Sequence, residues 1–284
     1  DLALATEVDG RVSIGDLFRT YVNSVAATVP LGKKVAFIAY SLTSHPPSQP
    51  LASNVIPFLM LEPRAELPRW QGKAQAFGLY LRLYGGGYVF PNHWPNAMQD
   101  ALQYARGQGA IAAHAEFHGT WGPDGPKMWV YANLLWNVDA DVEALLDDYY
   151  HHAYGPEAAP YMKAYFARAE MIYERRRTST HYYFAETFPG ESQFADVTDA
   201  DIAVMQAALV DAQNAVVGTD CATRVDMVAR CFELGRHYWV QEKILRQIAT
   251  APVTSDAEAE AVIDLVAQFH AQGEAVRDYY LNEV

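Results

Sequence analysis

The chain has 284 residues, 51% of them hydrophobic, enough for one large or two ordinary domains with a real core. Its formal net charge of −13 argues against nucleic acid or an anionic membrane surface as the main partner. Cys221 and Cys231 make neither a CxxC pair nor a zinc-finger spacing and read as buried thiols, and no apolar run reaches transmembrane length. The 18 Tyr and 6 Trp suit stacking on sugars, but such residues serve equally as core.

No signal peptide is evident. Asp1-Leu2-Ala3-Leu4 reads as the start of a strand rather than a natural N-terminus, so the chain reads as a piece of something longer. The compartment stays open between secreted, periplasmic and cytoplasmic. Leu2 to Val8 is a short apolar run that stops at the turn signal Asp9-Gly10, with Glu7 and Asp9 at its end. Ser13 to Val29 has helical spacing. Lys34 to Ser41 is a buried strand that runs into a loop with His45-Pro46-Pro47, and Asn54 to Leu61 is a third strand, ending at Glu62. Pro57 counts against a central place for it. Ala76 to Tyr84 is a fourth, followed by Gly85-Gly86-Gly87 and by Pro91-Asn92-His93-Trp94. After a helix from Asn96 to Arg106, Gly109 to His118 is the fifth.

That fifth strand carries His114, Glu116 and His118 at alternate positions, which share one face. Strands separated by helical or loop crossovers imply βα units and a parallel sheet. Each strand ends in polar or aromatic residues: Glu7 and Asp9, Tyr40 and His45, Glu62, Arg82 and Tyr84, Glu116 and His118. In a (β/α)8 barrel the active site is built at those ends. Five strands do not close such a barrel, so either the sheet is open or its first strands lie outside this chain.

From Pro126 onward the pattern is helical. Asp139 is placed to cap a helix through Tyr150 that stops at Gly155-Pro156. Ala158 to Arg176, a segment capped by Thr198 and running to about Val217, Arg224 to Ala249 and Ser255 to Tyr280 complete an expected antiparallel bundle. The predicted organisation is therefore a partial barrel over 1–124 and a helical domain over 125–284.

Several segments together resemble a bacterial family known as domain of unknown function 4838, grouped with TIM-barrel carbohydrate-active proteins related to α-glucuronidases and hexosaminidases. The matching pieces are Thr6-Glu-Val-Asp9-Gly10, Tyr21-Val-Asn-Ser-Val-Ala26, Ile38-Ala-Tyr-Ser41 with Pro46-Pro47, Gly109-Ala-Ile, and Trp129 to Asn137 followed by Asp141 to Gly155. They span roughly the first 170 residues. The resemblance implies that the five strands are the fourth to eighth of a (β/α)8 barrel, with a helical C-terminal domain behind it. The chain departs from the family pattern in lacking the first three strands. It also has a short connection where a cysteine-containing insert is expected after Asp9-Gly10.

Related barrels place an acidic pair at the end of the fourth strand, where Glu7 and Asp9 stand here. The resemblance thus makes Asp9 or Glu7 the general acid of a glycoside hydrolase, with the other, or Glu116, as its partner. The competing reading is an Asx turn at Asp9 and a salt bridge from Glu116 to Arg82. Tyr40, His45, Glu62, Arg82, Tyr84, His93, Trp94, His118 and Trp121 are the candidate sugar-binding residues, each also open to a packing role. A non-catalytic carbohydrate-binding protein is the first alternative. A metal-dependent hydrolase using His114, Glu116 and His118 is the second. The leading reading calls for no cofactor and no metal. Its partners are an oligosaccharide or glycan, together with the N-terminal part of the same protein or a second copy of the chain.

Overall fold

The computed structural model describes residues 5–8, 11–60, 63–83, 88–117, 119–179 and 193–283. Four strands form a parallel sheet in sequential order: β3 (Val35–Ala39), β4 (Val55–Met60), β5 (Phe77–Arg82) and β6 (Ala110–Glu116). The first expected strand is not part of it. Thr6–Val8 (β1) pairs antiparallel with Arg11–Ser13 (β2), in keeping with the Asp-Gly turn signal that the sequence places between them. Among the described residues the parallel strands therefore number four, against the five expected. The hairpin stays at the C-terminal end of β3, where the Ile14 N–H donates to the Leu42 carbonyl at 2.9 Å.

The two faces of the sheet differ. Phe37, Val55, Leu59, Leu79, Leu81 and Leu83 point to the side that carries α1 (Gly15–Ala26), α2 (Pro63–Trp70) and α3 (Pro95–Gly107). The Phe37 ring lies 4.9 Å from Phe18 of α1 and 6.3 Å from Trp70 of α2. A sequential parallel sheet with its crossovers on one side follows from their common right-handedness. The alternate residues Ile38, Tyr40, Phe58, Tyr80, Arg82, His114 and Glu116 lie on the other side, and Ile38 and Tyr40 are about half exposed. On that side Phe58 covers Gly78, its register partner. A Cβ at position 78 would stand 2.6 Å from the Phe58 ring, so only glycine lets the ring lie flat there.

Pro57 does sit inside the sheet, opposite Phe37. The ladder from β4 to β5 begins only at Phe58, so the missing donor falls where that pairing has not yet started.

Six further helices follow: α4 (Trp121–Trp136), α5 (Val142–Tyr154), α6 (Ala159–Ser179), α7 (Asp199–Ala215), α8 (Ala222–Thr250) and α9 (Asp256–Glu283). Helix α4 begins before Pro126 and runs through the expected boundary between 124 and 125. One apolar core continues from Leu79 and Leu81 through Met128, Leu134, Tyr150 and Phe166 to Phe232. Helix α5 is capped by Asp141, which accepts from the Ala144 N–H. Asp139, the expected cap, pairs with Arg106 instead. Thr198 caps α7 as its sequence suggests, in a box with Asp201. Successive helices from α4 to α9 pack on one another, and none among the described residues is long and apolar enough to cross a membrane.

Candidate functional site

The polar side of the sheet converges at the C-terminal ends of its strands. The register sets Tyr80 opposite His114 and Arg82 opposite Glu116. The Tyr80 hydroxyl donates to Glu116 Oε2 at 2.8 Å, and Arg82 Nε stands 3.7 Å from the same oxygen. The guanidinium also lies 5.6 Å from the centre of the Tyr40 ring, within cation–π range. Arg82, at the end of β5, thus reaches the tip of β3 across β4 and that of its neighbour β6, while Met60 of β4 is buried. The His114 ring rests 5.2 Å from that of Tyr80.

A phenol and a guanidinium therefore both approach one oxygen of a partly exposed carboxylate. Glu116 accepts a hydrogen bond and faces a guanidinium, an arrangement suited to a carboxylate that accepts hydrogen bonds or attracts positive charge. Its ion pair with Arg82 is the structural alternative that the sequence left open. Glu7 is exposed on the β1–β2 hairpin. Asp9, Glu62, Tyr84 and His118 lie outside the described residues. Among the described residues no three His, Cys, Asp or Glu side chains gather as a metal site.

Other candidates are placed elsewhere. His45 is buried where β3 meets the start of α1, its Nδ1 3.4 Å from the Ser44 hydroxyl. His93 is fully enclosed against Phe166, and burial, aided by Lys127, pushes its pKa down to about 3, so the ring is neutral. Trp94, fully buried, stacks on Tyr173. Both belong to the seam between the segment before α3 and the helices α4 and α6. Trp121 is 55% exposed at the start of α4, with its ring edge-on to Phe117.

Sequence reasoning passed over the residue that ties this seam together. Lys127 is completely buried on α4. Its Nζ donates to the Asn92 carbonyl at 2.7 Å, stands 2.8 Å from Asp124 Oδ1 and lies 5.4 Å from the Trp94 ring centre. The Thr120 hydroxyl donates to the other Asp124 oxygen at 2.6 Å. A single lysine inside the apolar run Gly125-Pro-Lys-Met-Trp-Val130 was the available signal, since a buried lysine requires partners. Tyr80 was legible too, two residues before Arg82 on the same strand face.

A family model described as "Domain of unknown function (DUF4838)" matches residues 3–167. The chain belongs to the DUF4838 family. No curated protein matches it. The DUF4838 region takes in the hairpin, the parallel sheet, α4, α5 and the first part of α6. Tyr40, Tyr80, Arg82, Glu116 and Lys127 therefore all lie inside it, whereas α7, α8 and α9 lie beyond.

Proposed function

We propose that this DUF4838 chain is a carbohydrate-active protein of the glycoside-hydrolase type, with strands β3–β6 forming part of a (β/α)8 barrel. The remaining strands would come from the N-terminal part of the same protein, as the family resemblance implies. The sequential strand order and the one-sided helices support this, because a barrel wall is wound in that way. The observation that carries the reading is the meeting of Tyr40, Tyr80, Arg82 and Glu116 at the C-terminal strand ends, the end where barrel enzymes hold their substrates.

In this reading Glu116 accepts a sugar hydroxyl, or acts as the charged member of the carboxyl pair, held in place by Tyr80 and Arg82. Asp9 or Glu7 supplies the acid. Tyr40 offers an aromatic face beside the guanidinium. The test is a panel of aryl glycosides and uronides with the wild type, Glu116→Gln and the double variant Asp9→Asn/Glu7→Gln. Turnover by the wild type that falls at least 1000-fold in the double variant is the expected result, and unchanged turnover in that variant removes the catalytic assignment.

The ion pair between Glu116 and Arg82 favours a second reading, sugar binding without turnover. Glu116→Gln would then weaken glycan affinity while the wild type hydrolyses nothing on the panel.

A further inference from the structure

We infer that a cavity beside the strand tips is a separate binding site for one neutral pyranose ring. It has a volume of about 370 Å³ and lies between the 88–92 segment, the 119–124 turn into α4, and α8. Tyr88, Phe90, Asn92, Trp121, Asp124 and Cys231 line it. That volume is at the small end of ligand pockets and suits a single ring with its substituents.

The walls define the ligand. Asn92 is 92% buried by its 8% exposure, and its side-chain amide has no hydrogen-bond partner among the described residues, although its backbone carbonyl is taken by Lys127. An amide left so can both donate and accept, and it favours a ligand that does the same. Asp124 uses one position on each oxygen, for Lys127 and Thr120, and each oxygen keeps a further lone pair. Lys127 itself is wholly enclosed and cannot greet an anion, so a uronate or phosphate placed here meets the Asp124 carboxylate with no cation among the described lining residues to offset it. Trp121, Tyr88 and Phe90 supply flat apolar surface for the C–H face of a ring. Burial and Asp124 push the Cys231 thiol up, so it is a protonated, soft wall rather than a nucleophile.

The cavity is preformed. Gln193 Oε1 accepts from the N–H groups of Val89 and Phe90 at 2.8 and 3.0 Å and so holds the 88–90 backbone. Phe117 backs the Trp121 ring. The choice of a sugar over another neutral ring with the same hydrogen-bonding pattern rests on the carbohydrate reading above. The site itself does not include Arg82 or Glu116.

Saturation-transfer NMR and calorimetry with methyl β-pyranosides, the matching methyl uronoside and adenosine test this on the intact chain. The expected result, measured in a Glu116→Gln background that silences the strand tip, is binding of a neutral pyranoside that weakens at least tenfold on adding Trp121→Ala or the cavity-filling Cys231→Phe. Trp121 is half exposed, so its truncation leaves the fold intact, and thermal melts of all three variants verify this. Binding lost in Glu116→Gln but kept in Trp121→Ala and Cys231→Phe overturns the cavity site and leaves the strand-tip reading standing. Tighter binding of the uronoside or of adenosine overturns the ligand class. Absence of any pyranoside binding overturns the inference, while turnover on the glycoside panel still decides the strand-tip reading separately.

Discussion

Tyr80 and Glu116, 36 residues apart in the chain, are joined across neighbouring strands by a hydrogen bond of 2.8 Å in which the phenol donates to the carboxylate. The bond runs diagonally, two register positions along the ladder, because Arg82 rather than Tyr80 stands directly opposite Glu116. Both residues therefore address the same oxygen of one carboxylate. Tyr80→Phe should lower stability by about 1 kcal/mol, less than a fully buried charge-assisted bond because Glu116 is partly exposed. A double-mutant cycle with Glu116→Gln in urea should return a coupling of at least about 0.5 kcal/mol. Strictly additive effects would show that the bond contributes nothing to stability.

Lys127, wholly enclosed, forms an ion pair at the start of α4 with Asp124, which is buried but for its edge on the cavity. Removing one partner strands the other in an apolar seam. Lys127→Met should therefore cost about 3–5 kcal/mol, and Lys127→Met/Asp124→Asn less than Lys127→Met alone. Equilibrium denaturation of the three proteins checks the order. A double variant less stable than Lys127→Met refutes the account.

Glu170 of α6 accepts from the Asn96 N–H at 3.0 Å and from Asn96 Nδ2 at 3.2 Å, fastening the first turn of α3 to the helical part. Burial pushes its pKa up from 4.5 to about 7, against the lowering effect of those two bonds, with Glu143 and Glu174 adding to the rise. Between these values the native state holds a proton that the unfolded chain has released, so this group makes stability fall as pH rises from about 4.5 to 7. The full change is on the order of 3 kcal/mol. Glu170→Gln should flatten that part of the profile. Urea midpoints at pH 5 and pH 8 that differ equally in wild type and variant would exclude Glu170 as the source.

Gly235 on α8 faces the 88–90 backbone. A Cβ there would stand 2.8 Å from the Val89 carbonyl oxygen and 3.3 Å from the Phe90 ring. Backbone cannot give way as a side chain can, so Gly235→Ala should cost about 1–3 kcal/mol. Gly273→Ala on α9 is the control. Its Cβ meets only the flexible Gln241 amide, at 3.1 Å, and the gain in helix propensity of up to about 1 kcal/mol should leave it neutral or more stable. Thermal melts of the pair should separate them, and equal melting points would contradict the packing argument.

Local pattern was enough for the elements. Short apolar runs marked β3 to β6, Thr198 marked the start of α7, and Gly155-Pro156 marked the end of α5, because these signals act within a few residues. The strand-tip residues Tyr40, Arg82 and Glu116 were legible as well, as the polar or aromatic residues in which apolar strands end. Partner choice was not legible. Nothing near Lys127 in the chain says that it meets the Asn92 carbonyl 35 residues away, and the Asp9-Gly10 signal marks a turn without saying that Arg11–Ser13 takes the pairing of Thr6–Val8 away from the sheet. Composition and periodicity determined what kind of elements this chain forms. Only tertiary packing decided which polar groups end up sealed together and which stay open to a ligand, because the cost of burying a charge or an amide depends on groups that arrive from distant parts of the chain.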